Sequence, residues 1–397
     1  MIAGLARMVR DVGLAEDLAQ EALLAALQQW PESGVPENPG AWLTAVGKRR
    51  AIDHFRHEAM ADRKHEQLAA ELEETSEPDL DAIDEDVGDD LLRLMFVACH
   101  PVLSKEARVA LTLRLLGGLT TEEVARAFLV PEPTLAQRIV RAKRTLSEAR
   151  VPFEVPVGPE REARLASVLE VIYLIFNEGY SATAGDEWAR PEICDEAMRL
   201  GRILARLAPK DPEVHSLVAL MELQASRLRA RTGPTGDPIL LLDQDRSRWD
   251  HLLIRRGLAA LERAEELSGA LGPYALQAAI AACHARARTP EETDWERIVA
   301  LYDALAQVMP SPVVELNRTV AVSMAFGPDA GLEVVDALRS EPSLQRYHLL
   351  PSVRGDLLAK VGRLDEAGAE FERAASLTQN TRESDLLRQR AAGLRSG

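Results

Sequence analysis

The first regular pattern of apolar and polar positions runs from residue 14 to residue 30, in the stretch LAEDLAQEALLAALQQW. At about 100° per residue, most apolar side chains, Leu23 and Trp30 included, fall on one half of a helix, and the acids and glutamines fall on the other. Leu24 and Leu27 lie within the polar half. Two interpretations fit: a surface helix with two stray leucines, or a docking face with an apolar centre inside an acidic ring. The pattern of this stretch alone favours the first interpretation, a surface helix.

A second helix is predicted from residue 39, after a turn rich in proline and glycine. Asn38 is a good N-cap, and Pro39 suits the first helical position, where its missing N–H costs nothing. One face carries an aromatic ring among charged side chains, namely Trp42, Arg49, Asp53 and Arg56, with Lys48 beside them. Basic residues at a helix end are most often only solvated. A ring beside several cations is also what single-stranded nucleic acid requires, because the ring stacks on bases and the cations hold phosphates.

The stretch GLTTEEVARAFLVPEPTLAQRIVRAKRTL, residues 118–146, predicts a helix-turn-helix. Thr120 and Glu123 form a capping box before the first helix. The core side of the second helix is formed by Leu135, Ile139, Ala142 and Leu146. Pro131 stands where a Ser or Asn cap would be expected, so the cap of this helix must come from elsewhere.

The outward face of that second helix suits a DNA groove, where residues near the helix N-terminus meet base edges and basic residues meet phosphates. The residues assigned to base edges are Thr134, Gln137 and Arg138, and those assigned mostly to phosphates are Arg141, Lys143 and Arg144. An ordinary helical hairpin with basic solubilising residues would show the same pattern.

These stretches, in this order, resemble the second and fourth regions of bacterial sigma factors of the extracytoplasmic-function class. The resemblance implies that the acidic helix binds the clamp helices of the RNA polymerase β′ subunit through Asp17, Gln20, Glu21 and Leu24. It implies that the basic helix recognises and helps to melt the −10 promoter element through Trp42, Lys48, Arg49, Asp53 and Arg56. The helix-turn-helix would read the −35 element. The implied partners are core RNA polymerase, through β′ and β, and promoter DNA.

The charge of the chain is unevenly distributed, so its overall negative charge does not exclude a basic surface for DNA in the first half. The chain of 397 residues carries a formal charge of −16, and residues 66–90 hold twelve Asp or Glu and no Lys or Arg. Such a block is normally a flexible tether, although in the sigma family the equivalent linker threads the polymerase channel. Without those acids residues 1–150 have a charge of +4, so a basic surface remains for groove contact. Residues 151–397 have a charge of −8 and are not expected to bind DNA by bulk charge.

The second half is predicted to consist of helices separated by Pro and Gly, after a proline-rich linker at 151–160. The clearest helix pair has the spacing of a tetratricopeptide repeat and contains Gly355, Leu358, Ala367, Phe371 and Ala374, with Gly362 near the turn. A looser copy contains Leu316, Ala321, Ala330, Val334 and Ala337, and residues 257–287 suggest a third pair. A stacked array follows, because each pair must bury its face on its neighbour, and such arrays usually bind peptides or proteins.

Two segments of this half carry more polar chemistry than packing requires. Their candidate regulatory residues are Asn177, Glu178, Asp243, Asp245, Arg246 and Arg248. A site formed by Glu178, Asp243 and Asp245 would bind a metal or a ligand. The pattern favours instead a loop held by pairs of these acids with Arg246 and Arg248. The full chain resembles the sigma group with a large C-terminal tetratricopeptide-like extension, which implies an extension that tunes sigma activity in place of, or beside, an anti-sigma factor.

Cysteine, histidine and hydropathy patterns add few constraints. Cys99, Cys194 and Cys283 are far apart and are expected to be buried reduced thiols of a cytosolic protein. The eight His residues show no metal-ligand spacing, so neither a metal nor a cofactor is expected. No run is apolar enough to span a membrane and no signal peptide is visible, which predicts a cytoplasmic protein, associated with the nucleoid when bound to polymerase.

The family normally has another helix before the acidic one, whereas only Met1–Val12 precede it here. Either the start is misassigned or the first domain lacks part of its support. A shortened domain would expose apolar surface from Leu14, Leu18 and Ala22.

The sequence therefore predicts an all-α, non-enzymatic promoter-specificity factor. Its parts are a region-2 domain (1–62), an acidic linker (63–90), a region-4 helix-turn-helix domain (91–150), a proline-rich linker (151–160) and a tetratricopeptide-like regulatory domain (161–397). One alternative is a helix-turn-helix regulator with a tetratricopeptide sensor, which would not need the acidic helix. Another is an enzyme with a site in 173–250, which no nucleophile–base pair or phosphate loop supports.

Overall fold

The computed structural model describes residues 1–61, 83–182, 184–234, 236–268 and 271–394. Most of these residues are helical, which confirms the all-α prediction. The chain divides into two compact units, Met1–Val171 and Ile172–Gly397. Within the described ranges, no helix combines the length and apolar character needed to cross a bilayer.

The helices of the first unit are α1 (Ile2–Val9), α2 (Val12–Ser33), α3 (Pro39–Ala61), α4 (Ile83–Ala98), α5 (Lys105–Leu115), α6 (Thr121–Ala127), α7 (Glu132–Glu148) and the first part of α8 (Gly158–Tyr180). The short helix α1 supports α2 and α3. Leu5 of α1 packs so closely on α3 that a Cβ at Gly47 would lie 3.0 Å from it. Leu18 and Ala22 are buried, because α2 packs against both α1 and α3. These two side chains are therefore not exposed in the way that a shortened first domain would leave them, and Leu14 is half-buried.

The N-terminal part of α8 belongs to the first unit. Arg164 donates a hydrogen bond to the carbonyl oxygen of Phe96 (2.9 Å), and the Ser167 hydroxyl donates to that of Cys99 (2.6 Å). The proposed domain start at residue 161 thus falls inside a helix whose first half is already packed, and the first unit runs on to Val171. A proline-rich stretch resembles a linker in sequence even where the following helix packs back on the preceding ones.

Helix α4 likewise crosses the proposed boundary between residues 90 and 91. Asp90 is buried and pairs with Arg93 (2.7 Å) of its own helix and with Arg7 of α1 (3.5 Å). Most of the proposed acidic linker, residues 63–82, lies outside the described residues.

The second unit is a succession of helices, each packed on its neighbour in the chain. After the end of α8 come α9 (Pro191–Leu207), α10 (Pro212–Ala225), α11 (His251–Leu267), α12 (Pro273–Arg286), α13 (Trp295–Val308), α14 (Pro312–Phe326), α15 (Pro328–Ala337), α16 (Leu349–Lys360), α17 (Leu364–Leu377) and α18 (Thr381–Leu394). A two-stranded parallel sheet joins the beginning of this unit to its end, through β1 (Ala184–Gly185) and β2 (Gln379–Asn380). The buried amide of Asn380 reinforces the sheet by donating to the carbonyls of Ala182 (3.1 Å) and Glu187 (2.8 Å).

Helices α16 and α17 form the helix pair with the clearest repeat spacing. Leu358, Ala367, Phe371 and Ala374 are all buried in one core. Gly362 lies in the turn with φ of 81°, a left-handed conformation that glycine adopts without strain. Gly355 brings α16 against the Phe371 ring, since a Cβ there would lie 2.9 Å from ring carbons. The looser copy corresponds to α14 and α15, and residues 257–287 correspond to α11 and α12.

The three cysteines are free and buried, as expected. Burial raises the pKa of the Cys99 thiol to about 11 and that of Cys194 to about 12. Both thiols are therefore protonated at neutral pH, where thiolate chemistry is suppressed.

The close approach at Gly355 yields a stability prediction. We expect Gly355→Ala to lower the free energy of unfolding by about 1 kcal/mol, because overpacking against the Phe371 ring outweighs the gain in helix propensity. Gly368→Ala is the matched control, since a Cβ at Gly368 would meet its nearest atom at 4.0 Å. Urea unfolding of the full chain, followed by circular dichroism, measures both. Equal stability of the two variants would contradict the close packing.

Candidate functional site

Helix α2 presents an apolar patch to solvent. Leu23, Leu24 and Leu27 are 46%, 57% and 72% exposed, whereas the alanines of the opposite face are buried. Leu23 was expected on the apolar half and is instead part of this patch, because small alanines suffice to pack α2 on its neighbours. We call Leu23, Leu24 and Leu27 the leucine patch. A contiguous group of exposed leucines is more typical of an interaction surface than are leucines scattered singly.

Polar side chains border the leucine patch, and neighbouring groups hold some of them in place. Gln20 donates a hydrogen bond from Nε2 to Oε1 of Glu16 (2.9 Å). Glu21 forms an ion pair with Arg50 of α3, which ties the exposed edges of the two helices together. Asp17 remains exposed one turn before Glu21. All four residues assigned to polymerase, Asp17, Gln20, Glu21 and Leu24, are exposed along one side of α2.

Glu16 is the residue that sequence reasoning missed. The helical pattern places it on the polar half of α2, yet it is only 3% exposed. Its carboxylate pairs with Nε of Arg114 on α5 (2.8 Å) and with Nζ of Lys143 on α7 (2.6 Å). Its partners come from helices distant in sequence, so no local pattern could have revealed the contact.

Helix α3 begins as the sequence predicts, since Oδ1 of Asn38 accepts a hydrogen bond from the Ala41 amide (3.0 Å). Gly47 and Ala51 form its buried face. The opposite face carries the residues assigned to the −10 element: Arg49, Asp53 and Arg56 are exposed, and Lys48 and Trp42 are half-buried. The Trp42 ring also contacts Trp30 of α2, with centroids 5.4 Å apart.

Helices α6 and α7 form the predicted helix-turn-helix. Both bonds of the capping box are present: the Glu123 amide donates to the Thr120 hydroxyl (3.1 Å), and the Thr120 amide donates to the Glu123 carboxylate (2.7 Å). The predicted core residues Leu135, Ile139, Ala142 and Leu146 are buried. Pro131 occupies the N-cap of α7 and provides no side-chain cap, so its carbonyl accepts from Thr134 instead (2.9 Å).

The outward face of α7 contains most of the residues assigned to the −35 element. Thr134, Gln137, Arg141 and Arg144 are exposed, and Arg138 is half-buried. Arg144 pairs with Glu148 one turn later (2.6 Å). Lys143 departs from the expectation, because its ammonium group points to Glu16 rather than outward.

The candidate regulatory residues of the second unit have other partners than expected. Glu178 pairs with Arg190 (2.7 Å). Arg246 donates to the backbone carbonyls of His284 (2.9 Å) and Ala287 (2.7 Å), not to an acid, which corrects the expected acid pairing. Asp245 accepts from the Ser247 amide (2.9 Å), while Asp243 and Arg248 are exposed and Asn177 is half-buried. Among the described residues, no group of three or more His, Cys, Asp or Glu is arranged to hold a metal ion.

Three segments of the chain match models of known protein families, and the two sigma regions follow one another in the order that the sequence predicts. Sigma-70 region 2 matches residues 2–60, and Sigma-70, region 4 matches residues 93–146. A family of unknown function (DUF6596) matches residues 164–265.

Several curated proteins are similar to the chain. An uncharacterized protein of Rhizobium meliloti (strain 1021) is 45% identical over 97% of this chain and 90% of its own length. The ECF RNA polymerase sigma factor SigK of Mycobacterium ulcerans (strain Agy99) is 32% identical over 36% of this chain and 74% of its own length. The probable ECF RNA polymerase sigma factor SigI of Mycobacterium tuberculosis (strain ATCC 25618 / H37Rv) is 29% identical over 39% of this chain, which spans 53% of that protein.

The buried position of Glu16 predicts a large effect of a small change. We expect Glu16→Gln to destabilise the first unit by about 2 kcal/mol, because it leaves the Arg114 and Lys143 charges without their buried partner. Glu148→Gln, which breaks an exposed pair, should change stability by less than about 0.5 kcal/mol. Hydrogen exchange of α2 and α7 peptides in the full chain measures the local effect. Unchanged protection in Glu16→Gln would contradict the role of this ion pair.

Proposed function

Because the chain belongs to the extracytoplasmic-function family of RNA polymerase sigma factors, we propose that it directs core RNA polymerase to specific promoters by recognising their −10 and −35 elements and helping to open the duplex. The observation that carries this proposal is the leucine patch of α2, bordered by Asp17, Gln20 and Glu21. A regulator that only binds DNA would not need such a surface.

The leucine patch is the proposed docking face for the polymerase β′ clamp helices. Leu24 and Leu27 contribute little to the fold, since most of their surface is in water. Complete burial of one leucine against a partner is worth roughly 1.5–3 kcal/mol. Asp17 and Glu21 would add charge complementarity, which speeds association and selects a basic partner.

The exposed face of α3 is the proposed −10 site. Arg49 and Arg56 would hold the phosphates of the opened strand, with Lys48 at the edge of the site, and Trp42 would stack on a base. Stacking on an aromatic ring contributes about 1–3 kcal/mol per base. Asp53 lies among these cations, where its carboxylate can accept a hydrogen bond from a base amino group. It would thereby select sequence, while its basic neighbours supply affinity.

The outward face of α7 is the proposed −35 site. Thr134, Gln137 and Arg138 lie near the start of the helix, where recognition helices meet base edges. Arg141 and Arg144 would contact phosphates, which makes binding steeply dependent on salt. Lys143 can join them only by exchanging the Glu16 carboxylate for a phosphate, so a part of this interface is held back until DNA competes for it.

The second unit is proposed to be a tetratricopeptide-like array that tunes the activity of the first in the cytoplasm. Its support is the succession of packed helix pairs and the close α16–α17 contact at Gly355. The candidate regulatory residues Asn177, Glu178, Asp243, Asp245, Arg246 and Arg248 all belong to this unit.

Binding to core polymerase tests the docking face. We expect Leu24→Asp to weaken the affinity of the full chain for purified bacterial core polymerase by about tenfold, since a charge replaces an apolar contact. Leu252→Asp in α11 is the matched control, because Leu252 is 47% exposed and lies outside the proposed interface. Fluorescence anisotropy of the labelled chain gives both dissociation constants. The plain helix-turn-helix regulator would bind DNA but not core polymerase, and equal affinities for the two variants would refute the leucine patch as the docking face.

A further inference from the structure

Three arginines of the second unit alternate with two aromatic rings. The Arg231 guanidinium lies 3.7 Å from the ring centroid of Tyr180, and Arg227 lies 5.8 Å from the same ring. Arg227 is also 6.0 Å from the Trp249 ring, and Arg246 is 4.9 Å from it. We call Arg231, Tyr180, Arg227, Trp249 and Arg246 the arginine–aromatic row.

None of the three arginines forms an ion pair with a described carboxylate within 4.0 Å. The Arg231 side chain is buried and donates to the backbone carbonyl of Tyr180. Arg246 donates to two carbonyls and to the Thr293 hydroxyl (3.2 Å). Arg227 has no side-chain hydrogen-bond partner among the described residues, and its Nε is buried. These contacts satisfy some N–H groups, but none of these partners carries a negative charge.

The charges act on one another. Burial lowers the pKa of Arg231, and Arg227 lowers it further. Burial and the charge of Arg227 also lower the pKa of Arg246, and the carboxylates of Glu291 and Glu292 offset part of this decrease from a distance. Buried His284 has its pKa lowered to about 3 by burial and by the nearby charges of Arg227 and Arg246. The site is therefore strongly electropositive, and His284 remains neutral within it.

Buried charges in proteins are ordinarily paired, because desolvating an unpaired charge is costly. Cation–π contacts with Tyr180 and Trp249 offset only part of that cost. If these arginines had a purely structural role, a carboxylate beside each would be sufficient, as Glu178 is beside Arg190 in the same unit (2.7 Å). Arg231 is buried and Arg227 and Arg246 are half-buried, so the absence of a paired carboxylate among the described residues points to a ligand.

We propose that the arginine–aromatic row binds a compact oxyanion with at least two negative charges, of the phosphate or carboxylate class. Guanidinium groups suit such ligands because their planar N–H pairs match two oxygen atoms at once. Arg227 is the central contact, with Arg231 and Arg246 on either side, and the two rings restrict access of water. The row lies within residues 164–265, the segment matched by the family of unknown function. This site is independent of the surfaces proposed for polymerase and DNA.

Calorimetric titration of the full chain tests the site with three probes: inorganic phosphate, pyrophosphate and citrate, against sodium chloride at matched ionic strength. We expect saturable binding near one site per chain for pyrophosphate or citrate. Preference for pyrophosphate identifies a phosphoryl ligand, and preference for citrate identifies a carboxylate ligand. Arg227→Met should weaken binding at least about tenfold, the loss expected for one charge-assisted hydrogen bond. Arg263→Met, which removes an exposed arginine paired with Glu266 on α11, should bind like the natural chain.

Thermal unfolding without ligand separates binding from a structural role. If the arginine–aromatic row binds an anion, Arg227→Met relieves repulsion among the three arginines in the ligand-free chain and leaves the melting temperature unchanged or higher. Arg227→Lys, which keeps the charge but loses the planar fork, should bind with intermediate affinity. No saturable binding of any probe, equal binding by Arg227→Met, or a marked loss of stability in that variant without ligand would each overturn the proposal.

Discussion

The buried carboxylate of Glu16 is the interaction on which the arrangement of the first unit depends. It joins α2 to α5 and α7 through the half-buried Arg114 and Lys143, which compensate a carboxylate that would be unfavourable alone in a protein interior. Because this contact fixes α2 by its inner face, the leucine patch is left on the outside. Because it also engages Lys143, one basic group of the proposed −35 surface is bound to protein rather than free for phosphate. One ion pair thus couples the proposed polymerase surface to the proposed DNA surface.

Side-chain size explains why the other surfaces of this unit are where they are. Helices α1, α2 and α3 approach closely through alanines and through Gly47, whose Cβ would lie 3.0 Å from Leu5. Such a tight core has no room for the leucines of the patch, which remain in water. On α3, burial of Gly47 and Ala51 turns Arg49, Asp53 and Arg56 to the opposite side. Small residues on the buried face therefore position the large and charged residues proposed to bind partners.

Local features could be predicted from sequence, and contacts between distant residues could not. The Asn38 cap, the Thr120–Glu123 capping box and the buried face of α7 each depend on residues within one or two helical turns, so spacing reveals them. The burial of Glu16 and the inward turn of Lys143 depend on a contact between helices far apart in the chain. The same holds for the arginine–aromatic row, in which Arg246 was expected to pair with acids. The domain boundary near residue 161 was missed because a proline-rich segment looks like a linker, although α8 packs back through Arg164 and Ser167.

The central claim is that this chain gives core polymerase the ability to start at chosen promoters. Run-off transcription by purified bacterial core polymerase, with and without the full chain, on a library of promoter fragments, tests it most directly. We expect transcripts of defined length that appear only when the chain is added and that share −10 and −35 sequences. DNA binding by the chain without any such transcript would contradict a sigma-factor function.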